Sequence, residues 1–149
     1  MISKDKPLFA VVLLIFTLMI FAVPNVNAVP PRANLLPSDY ATGMTYDQAV
    51  KMKKPMAINF YVDWCHYCKH FAPILDSFRQ KYKSKMNFVI VNVETPLGKK
   101  LIKEFPINGY PSLYLYNPNT GNRNFINQAI YNDKKRLNDE FVRFIKFNK

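Results

Sequence analysis

The stretch that most limits how this chain can fold is residues 56–62, a run in which Asn59 is the one polar side chain. A nearly continuous apolar run of this length is typical of a strand that is buried on both faces in the middle of a sheet. Over residues 65–82 the apolar positions then recur at i, i+3, i+4 and i+7, which predicts an amphipathic helix. A buried strand followed at once by a helix indicates an α/β domain.

The rest of the chain continues this alternation of strands and helices. The predicted elements are a short helix over 46–53 capped by Thr45, a strand over 87–93, a helix opened by Thr95 and Pro96, strands over 112–116 and 123–130, and a last helix capped by Asp133. Residues 117–122 are rich in Asn, Pro and Gly, so the last two strands are expected to form an antiparallel hairpin. The order is βαβ followed by ββα, which predicts a central mixed sheet flanked by helices.

The N-terminal segment, residues 1–28, has the order of an export signal. Lys4 and Lys6 precede an apolar run over residues 8–23, and small residues follow up to Ala28. The apolar run is shorter than the roughly 20 residues that an untilted membrane-spanning helix needs, so cleavage after Ala28 is the preferred interpretation. The alternative is an uncleaved N-terminal membrane anchor. Both interpretations predict an exported protein, either periplasmic or secreted.

Residues 29–38 contain three prolines and no hydrophobic periodicity, which predicts a linker between the export segment and a folded domain over residues 39–149. The full chain carries a formal net charge of +11. Its lysines are dispersed along the sequence rather than gathered in one run, so we interpret them as solvated surface charges and expect no nucleic-acid partner.

The chain has only two cysteines, Cys65 and Cys68, and they lie where the central strand passes into the helix. This spacing places both sulfurs on one turn, within the separation that a disulfide allows. Cys65 is expected at the helix N-terminus, where free backbone N–H groups and the helix dipole favour a thiolate over a thiol. We therefore predict that Cys65 is the nucleophile and that Cys68, one turn inside the helix, is the resolving cysteine.

Other chemistry has to be weighed for the same segment. His66 and His70 could join the two cysteines as zinc ligands, but there is no second, distant pair of ligands, so no metal site is predicted. A purely structural disulfide is another alternative, although so short a loop restricts the unfolded chain very little. Attachment of haem would need His directly after the second cysteine, where this chain has Lys69.

Three features carry a resemblance to a known family. They are the run Trp64-Cys65-His66-Tyr67-Cys68-Lys69, Pro73 five residues after the second cysteine, and Gly109-Tyr110-Pro111-Ser112 before a strand. In this order and spacing they resemble the thioredoxin family over residues 45–147. The resemblance implies a thioredoxin fold and a thiol-disulfide oxidoreductase with a redox-active disulfide and no bound cofactor. It also implies protein substrates, an electron donor that is either membrane-bound or soluble, and a role in cell redox homeostasis.

The resemblance also implies roles for particular side chains. Pro111 would be a cis-proline that presents the backbone of Tyr110 to an extended substrate segment. Trp64, Tyr67 and Tyr110 would form an apolar rim for the substrate, and His66 is placed with them as a substrate-binding residue.

Two departures from the family pattern leave the direction of electron flow open. Typical members carry a buried aspartate where this chain has Asn59, and Gly-Pro where it has His66 and Tyr67. We expect a reductase, since a domain this short lacks the inserted helical subdomain of the strong oxidants. The alternatives are a disulfide-forming oxidase of exported proteins and a non-enzymatic, client-binding module with the same fold.

Overall fold

The computed structural model describes residues 35–148; the predicted export segment, residues 1–28, and most of the predicted linker lie outside these. In chain order the regular elements are α1 (Tyr46–Lys51), β1 (Met56–Tyr61), α2 (His66–Tyr82), β2 (Asn87–Asn92), α3 (Pro96–Glu104), β3 (Ser112–Tyr116), β4 (Arg123–Ile126) and α4 (Lys134–Phe147). Within the described part, every helix is too short or too polar to cross a membrane.

The four strands form one sheet in the order β2-β1-β3-β4. Strand β1 pairs in parallel with β2 and antiparallel with β3, and β3 pairs antiparallel with β4. All residues of β1 are buried, as expected of a strand with neighbours on both sides and helices on both faces. The predicted central mixed sheet flanked by helices is confirmed.

Three helices begin where a side-chain cap was predicted. The hydroxyl of Thr45 accepts the N–H of Gln48 at the start of α1. Thr95 does the same for α3, and the carboxylate of Asp133 accepts a backbone N–H at the start of α4. Each cap satisfies one of the N–H groups that the first turn of a helix leaves without a partner.

Each face of the sheet carries a separate hydrophobic cluster. On one face, Phe141 of α4 stacks on Tyr82 of α2 and Phe88 of β2, with ring centroids 5.6 and 5.9 Å apart. On the other face, Phe105 contacts Phe60 of β1, and this second cluster also contains both cysteines. Both cysteines are therefore packed in the cluster on the side of the sheet that α1 and α3 cover.

Helix α3 approaches the end of β2 closely enough to require a glycine. A Cβ added to Gly98 would lie 2.1 Å from the backbone oxygen of Asn92 and 2.6 Å from Cα of Val93. Both are backbone atoms and cannot rotate away, so a side chain at Gly98 would push α3 off the sheet.

The chain differs from the predicted elements at two places. The strand predicted over residues 123–130 ends at Ile126, because the side chain of Asn127 accepts the N–H of Ala129 and starts a 3₁₀ helix, Gln128–Ile130. Near the N-terminus the other 3₁₀ helix, Pro37–Tyr40, which is the first in chain order, packs against α2, so the folded part includes the end of the segment expected to be a linker.

Candidate active site

The two cysteines lie at the start of α2 and form a disulfide with a Cα–Cα distance of 5.2 Å. Cys65 is the N-cap of the helix, and its Sγ accepts the backbone N–H of Cys68 over 3.1 Å. Its own N–H donates to the carbonyl oxygen of Val62, which closes the short turn that leads out of β1. The end of the central strand and the first turn of the helix thus hold both sulfurs in place.

The two cysteines differ in how easily another molecule can reach them. Cys65 is 7% exposed, whereas Cys68 is 1% exposed. When the pair is reduced, the N–H that points at Sγ of Cys65 favours a thiolate on that atom. The cysteine that is easier to approach is therefore also the one whose anion the backbone stabilises.

The aromatic residues beside the cysteines project into solvent. Trp64 and Tyr67 are 69% and 74% exposed, which is unusual for side chains of this size. The indole Nε1 of Trp64 donates to Oε1 of Glu94 over 3.1 Å, and its ring meets the ring of Tyr110 edge to face with centroids 6.3 Å apart. Trp64, which directly precedes Cys65, thus packs against Tyr110 of the cis-proline turn.

The peptide bond between Tyr110 and Pro111 is cis, and Pro111 is buried directly before β3. Its carbonyl oxygen accepts a hydrogen bond of 2.7 Å from Nε2 of Gln128 in the second 3₁₀ helix. This bond ties the cis-proline turn to the segment that follows β4.

A groove with a volume of about 390 Å³ runs between the start of α2, the cis-proline turn and the segment before α4. Its lining combines aromatic rings with amide and imidazole groups: Tyr67, His70, Phe71, Tyr110, Pro111, Gln128, Ala129, Tyr131 and Asn132. The predicted residues Tyr67, Tyr110 and Pro111 therefore share one groove. Trp64 joins them through its contact with Tyr110, and His66 is exposed next to Cys65.

Tyr131 lines the groove and is held in place by three contacts. Its hydroxyl accepts the N–H of Leu113 over 2.7 Å and donates to the carbonyl oxygen of Ile126 over 3.2 Å. Its ring stacks on Phe71 with centroids 4.2 Å apart. Burial raises the pKa of Tyr131 well above its ordinary value, so the phenol is neutral at physiological pH.

Asn59 lies on the central strand and is 4% exposed, and its Oδ1 has no hydrogen-bond donor among the described residues. It borders a cavity of about 20 Å³ between α2 and the first 3₁₀ helix, and neither cysteine lines that cavity. A volume of this size holds about one water molecule. The side chain that departs from the family pattern thus borders a small pocket beneath α2.

Three contacts around the site join residues that are far apart in sequence, and the sequence pattern did not indicate them. They are the bond from Trp64 to Glu94, the bond from Gln128 to Pro111, and a bond from the N–H of Ser38 to the half-buried carboxylate of Asp63. Among residues 35–148 no three His, Cys, Asp or Glu side chains are grouped so that they could hold a metal ion.

Comparison with known proteins assigns a family to this arrangement. The family model described as Thioredoxin matches residues 38–145. The chain is 37% identical over 71 residues to a chloroplastic thioredoxin-like protein, HCF164, from Arabidopsis thaliana, with 48% of this chain and 27% of the relative covered. It is 30% identical over 128 residues to a protein disulfide-isomerase from Medicago sativa, with 85% of this chain and 24% of the relative covered. The chain thus spans about a quarter of the length of these curated relatives.

Solved structures agree on the fold. The J-Trx1 fragment of ERdj5 superposes with a TM-score of 0.56 at 22% identity, covering 68% of this chain and 48% of that structure. The germline-specific thioredoxin Deadhead from Drosophila melanogaster gives a TM-score of 0.54 at 20% identity, covering 66% of this chain and 93% of that structure. The architecture described above is the thioredoxin fold.

Proposed function

This chain belongs to the thioredoxin family, and we propose that it is an exported thiol-disulfide oxidoreductase that reduces or exchanges disulfides in protein substrates. The observation that carries the proposal is the disulfide between Cys65 and Cys68 at the start of α2, with Sγ of Cys65 held by the N–H of Cys68. A pair at a helix N-terminus can open and close without a change in the fold.

The proposed reaction begins with the reduced pair. The Cys65 thiolate attacks one sulfur of a substrate disulfide, which forms a mixed disulfide and releases the other substrate sulfur as a thiolate that takes up a proton. The Cys68 thiol then loses its proton and attacks Sγ of Cys65, which closes the enzyme disulfide and releases the second substrate thiolate. Two electrons pass from the enzyme to the substrate. A membrane-bound or soluble dithiol donor must return them before the next cycle.

The groove beside the two cysteines is the proposed binding site of the substrate. An extended segment of the substrate would pair with the backbone at Tyr110 and Pro111 as an added strand. Trp64 and Tyr67 would cover its apolar side chains, because both rings are largely exposed at the edge of the groove. Such contacts suit flexible or unfolded polypeptides rather than one small molecule.

Reduction is the favoured direction, and oxidation of newly exported proteins is the alternative. In support of reduction, the described chain passes from β1 to β2 through α2 alone, without an inserted helical subdomain. A client-binding module without catalysis is a third candidate, supported by the aromatic rim but not by the intact cysteine pair.

Export is proposed from residues 1–28, which lie outside the described part of the chain. The location would be periplasmic or extracellular, with a membrane anchor if the segment is retained. Fractionation of cells followed by N-terminal sequencing tests this: an N-terminus at Val29 outside the cytoplasm is expected, and an intact Met1 on cytoplasmic protein contradicts it.

The direction of electron flow is tested by the reduction potential of the pair, measured against a glutathione or dithiothreitol series, together with two activity assays. The reduction potential of thioredoxin is about −270 mV and that of the strong oxidant DsbA is about −120 mV. A reductase is expected to lie toward the lower value and to reduce insulin faster than it refolds a reduced substrate. A potential near the upper value without insulin reduction would assign the oxidase instead. Full function of a Cys65→Ser variant in cells would leave only the binding module.

A further inference from the structure

The two histidines of the chain meet at one point on its surface. The full sequence contains only His66 and His70, and both are exposed in the first turns of α2. Their Nε2 atoms lie 3.0 Å apart and share a hydrogen bond in which one ring donates and the other accepts, with ring centroids at 4.5 Å and ring planes inclined by 75°. Residues four apart on a helix share one face, so this contact follows from the helical spacing.

We propose that His66 and His70 form a binding site for one divalent transition-metal ion, beside the mouth of the redox groove. Imidazole nitrogen is a common protein ligand for copper, nickel and zinc ions. Both rings are solvent-exposed, so an ion can reach the two nitrogens without opening the fold. The proposal uses no sulfur and does not depend on the proposed redox activity.

The two nitrogens are close enough to bind one ion together. Metal–nitrogen bonds to histidine are about 2.0–2.1 Å long, so two nitrogen ligands of one ion lie about 2.9–3.3 Å apart. The two Nε2 atoms lie 3.0 Å apart, so small rotations of the rings exchange their hydrogen bond for a shared ion. Among the divalent first-row ions Cu(II) binds most tightly, so it is the first probe.

The remaining coordination positions would be filled by water. Among the described residues, no carboxylate, thiolate or further imidazole is grouped with the two histidines as a third ligand. The sulfurs of Cys65 and Cys68 are bonded to each other. None of the residues between the two histidines is acidic, and the exposed Lys69 among them is basic. This turn therefore adds no electrostatic attraction for a cation. The affinity for the ion therefore comes from the two nitrogens, and removal of either imidazole should lower it strongly.

The test is a titration of the purified, disulfide-bonded protein with Cu(II), followed by calorimetry and electron paramagnetic resonance. The oxidised form is used so that copper cannot react with free thiols. We expect one ion per chain and nitrogen hyperfine splitting from two imidazoles. Ni(II), which does not oxidise thiols, serves as the second probe.

Variants separate this site from other copper ligands. His66→Ala and His70→Ala are each expected to weaken binding by at least about tenfold, whereas the matched variant Lys69→Gln should bind like the wild type. Circular dichroism establishes that all three variants are folded. Unchanged affinity in His70→Ala, or a copper signal from backbone nitrogen alone, would overturn the proposal. Because binding is read directly, neither result bears on whether the protein reduces disulfides.

Discussion

The backbone N–H of Cys68 points at Sγ of Cys65 over 3.1 Å, so the second cysteine of the pair helps to stabilise the anion of the first. The two cysteines also differ in access, because both are buried but Cys65 is 7% exposed and Cys68 only 1%. Helix geometry and burial therefore make the two cysteines chemically unequal.

This inequality predicts the order of alkylation in the reduced protein. With a limiting amount of iodoacetamide at neutral pH, Cys65 should be modified before Cys68, since the thiolate is the reactive species and Cys65 is the less deeply buried of the two. Peptide mass spectrometry after brief labelling measures the order. Labelling of Cys68 first, or of both at equal rates, would contradict the assigned roles.

Two buried asparagines should respond in opposite ways to replacement by leucine. Asn59 and Asn87 are each 4% exposed, but Oδ1 of Asn59 has no donor within residues 35–148, whereas Nδ2 of Asn87 donates to the carbonyl oxygen of Ala49 over 3.2 Å. Asn59→Leu should raise the free energy of unfolding by about 1 kcal/mol, because an unpaired polar group leaves the core. Asn87→Leu should lower it by about 1–3 kcal/mol, because it leaves a buried carbonyl without its donor.

Urea denaturation of the two asparagine variants beside the wild type measures the difference. If Asn59→Leu destabilises the protein as much as Asn87→Leu does, the amide of Asn59 is satisfied by internal water in its cavity, and our account of that residue is wrong.

The hydroxyl of Tyr131 should contribute to the free energy of unfolding in addition to the ring. Tyr131→Phe keeps the stack on Phe71 but leaves the buried N–H of Leu113 without an acceptor, so we expect a loss of about 1–3 kcal/mol. Tyr67→Phe is the matched control, because Tyr67 is exposed, and it should change stability by less than about 0.5 kcal/mol. Equal effects of the two variants in thermal or urea denaturation would refute this role.

Stability should also decline at high pH through Tyr46. Burial is the largest cause that raises the pKa of Tyr46 from an ordinary value of 10.0 to about 12, and the negative charges of Tyr116 and Glu104 add to it. Above pH 10 the unfolded chain releases this proton while the folded chain still holds it, so stability is complete below pH 10 and is lost as the pH rises through 12.

The measurement for Tyr46 is urea denaturation between pH 9 and pH 11.5. Tyr46→Phe removes the titrating group, so its stability should fall less steeply with pH than that of the wild type. Parallel curves for the two proteins would contradict the assignment.

Local patterns in the sequence predicted most of the architecture. The caps at Thr45, Thr95 and Asp133 and the hydrophobic periodicity between them place the elements correctly, because both depend on neighbours within a few residues. The strand predicted over residues 123–130 was too long, since its apolar residues continue past Ile126. The hydrogen bond from the side chain of Asn127 to the next turn decides its end.

Contacts across the sheet account for what the sequence did not indicate. Glu94 supports Trp64 only because β2 ends beside the turn that follows β1, and Gln128 reaches Pro111 only after β4 has ended early. These contacts depend on where separate elements finish relative to one another. The meeting of His66 and His70 is different, since their spacing of four on a predicted helix was visible in the sequence.

The most direct test of the central claim is to trap the substrate on the enzyme. Reduced Cys68→Ser protein is incubated with insulin, whose disulfides offer targets, and the products are separated without reducing agent and identified by mass spectrometry. A mixed disulfide between Cys65 and insulin, absent from Cys65→Ser, is the result that our account predicts. No adduct with Cys68→Ser, or an equal amount with Cys65→Ser, would contradict it.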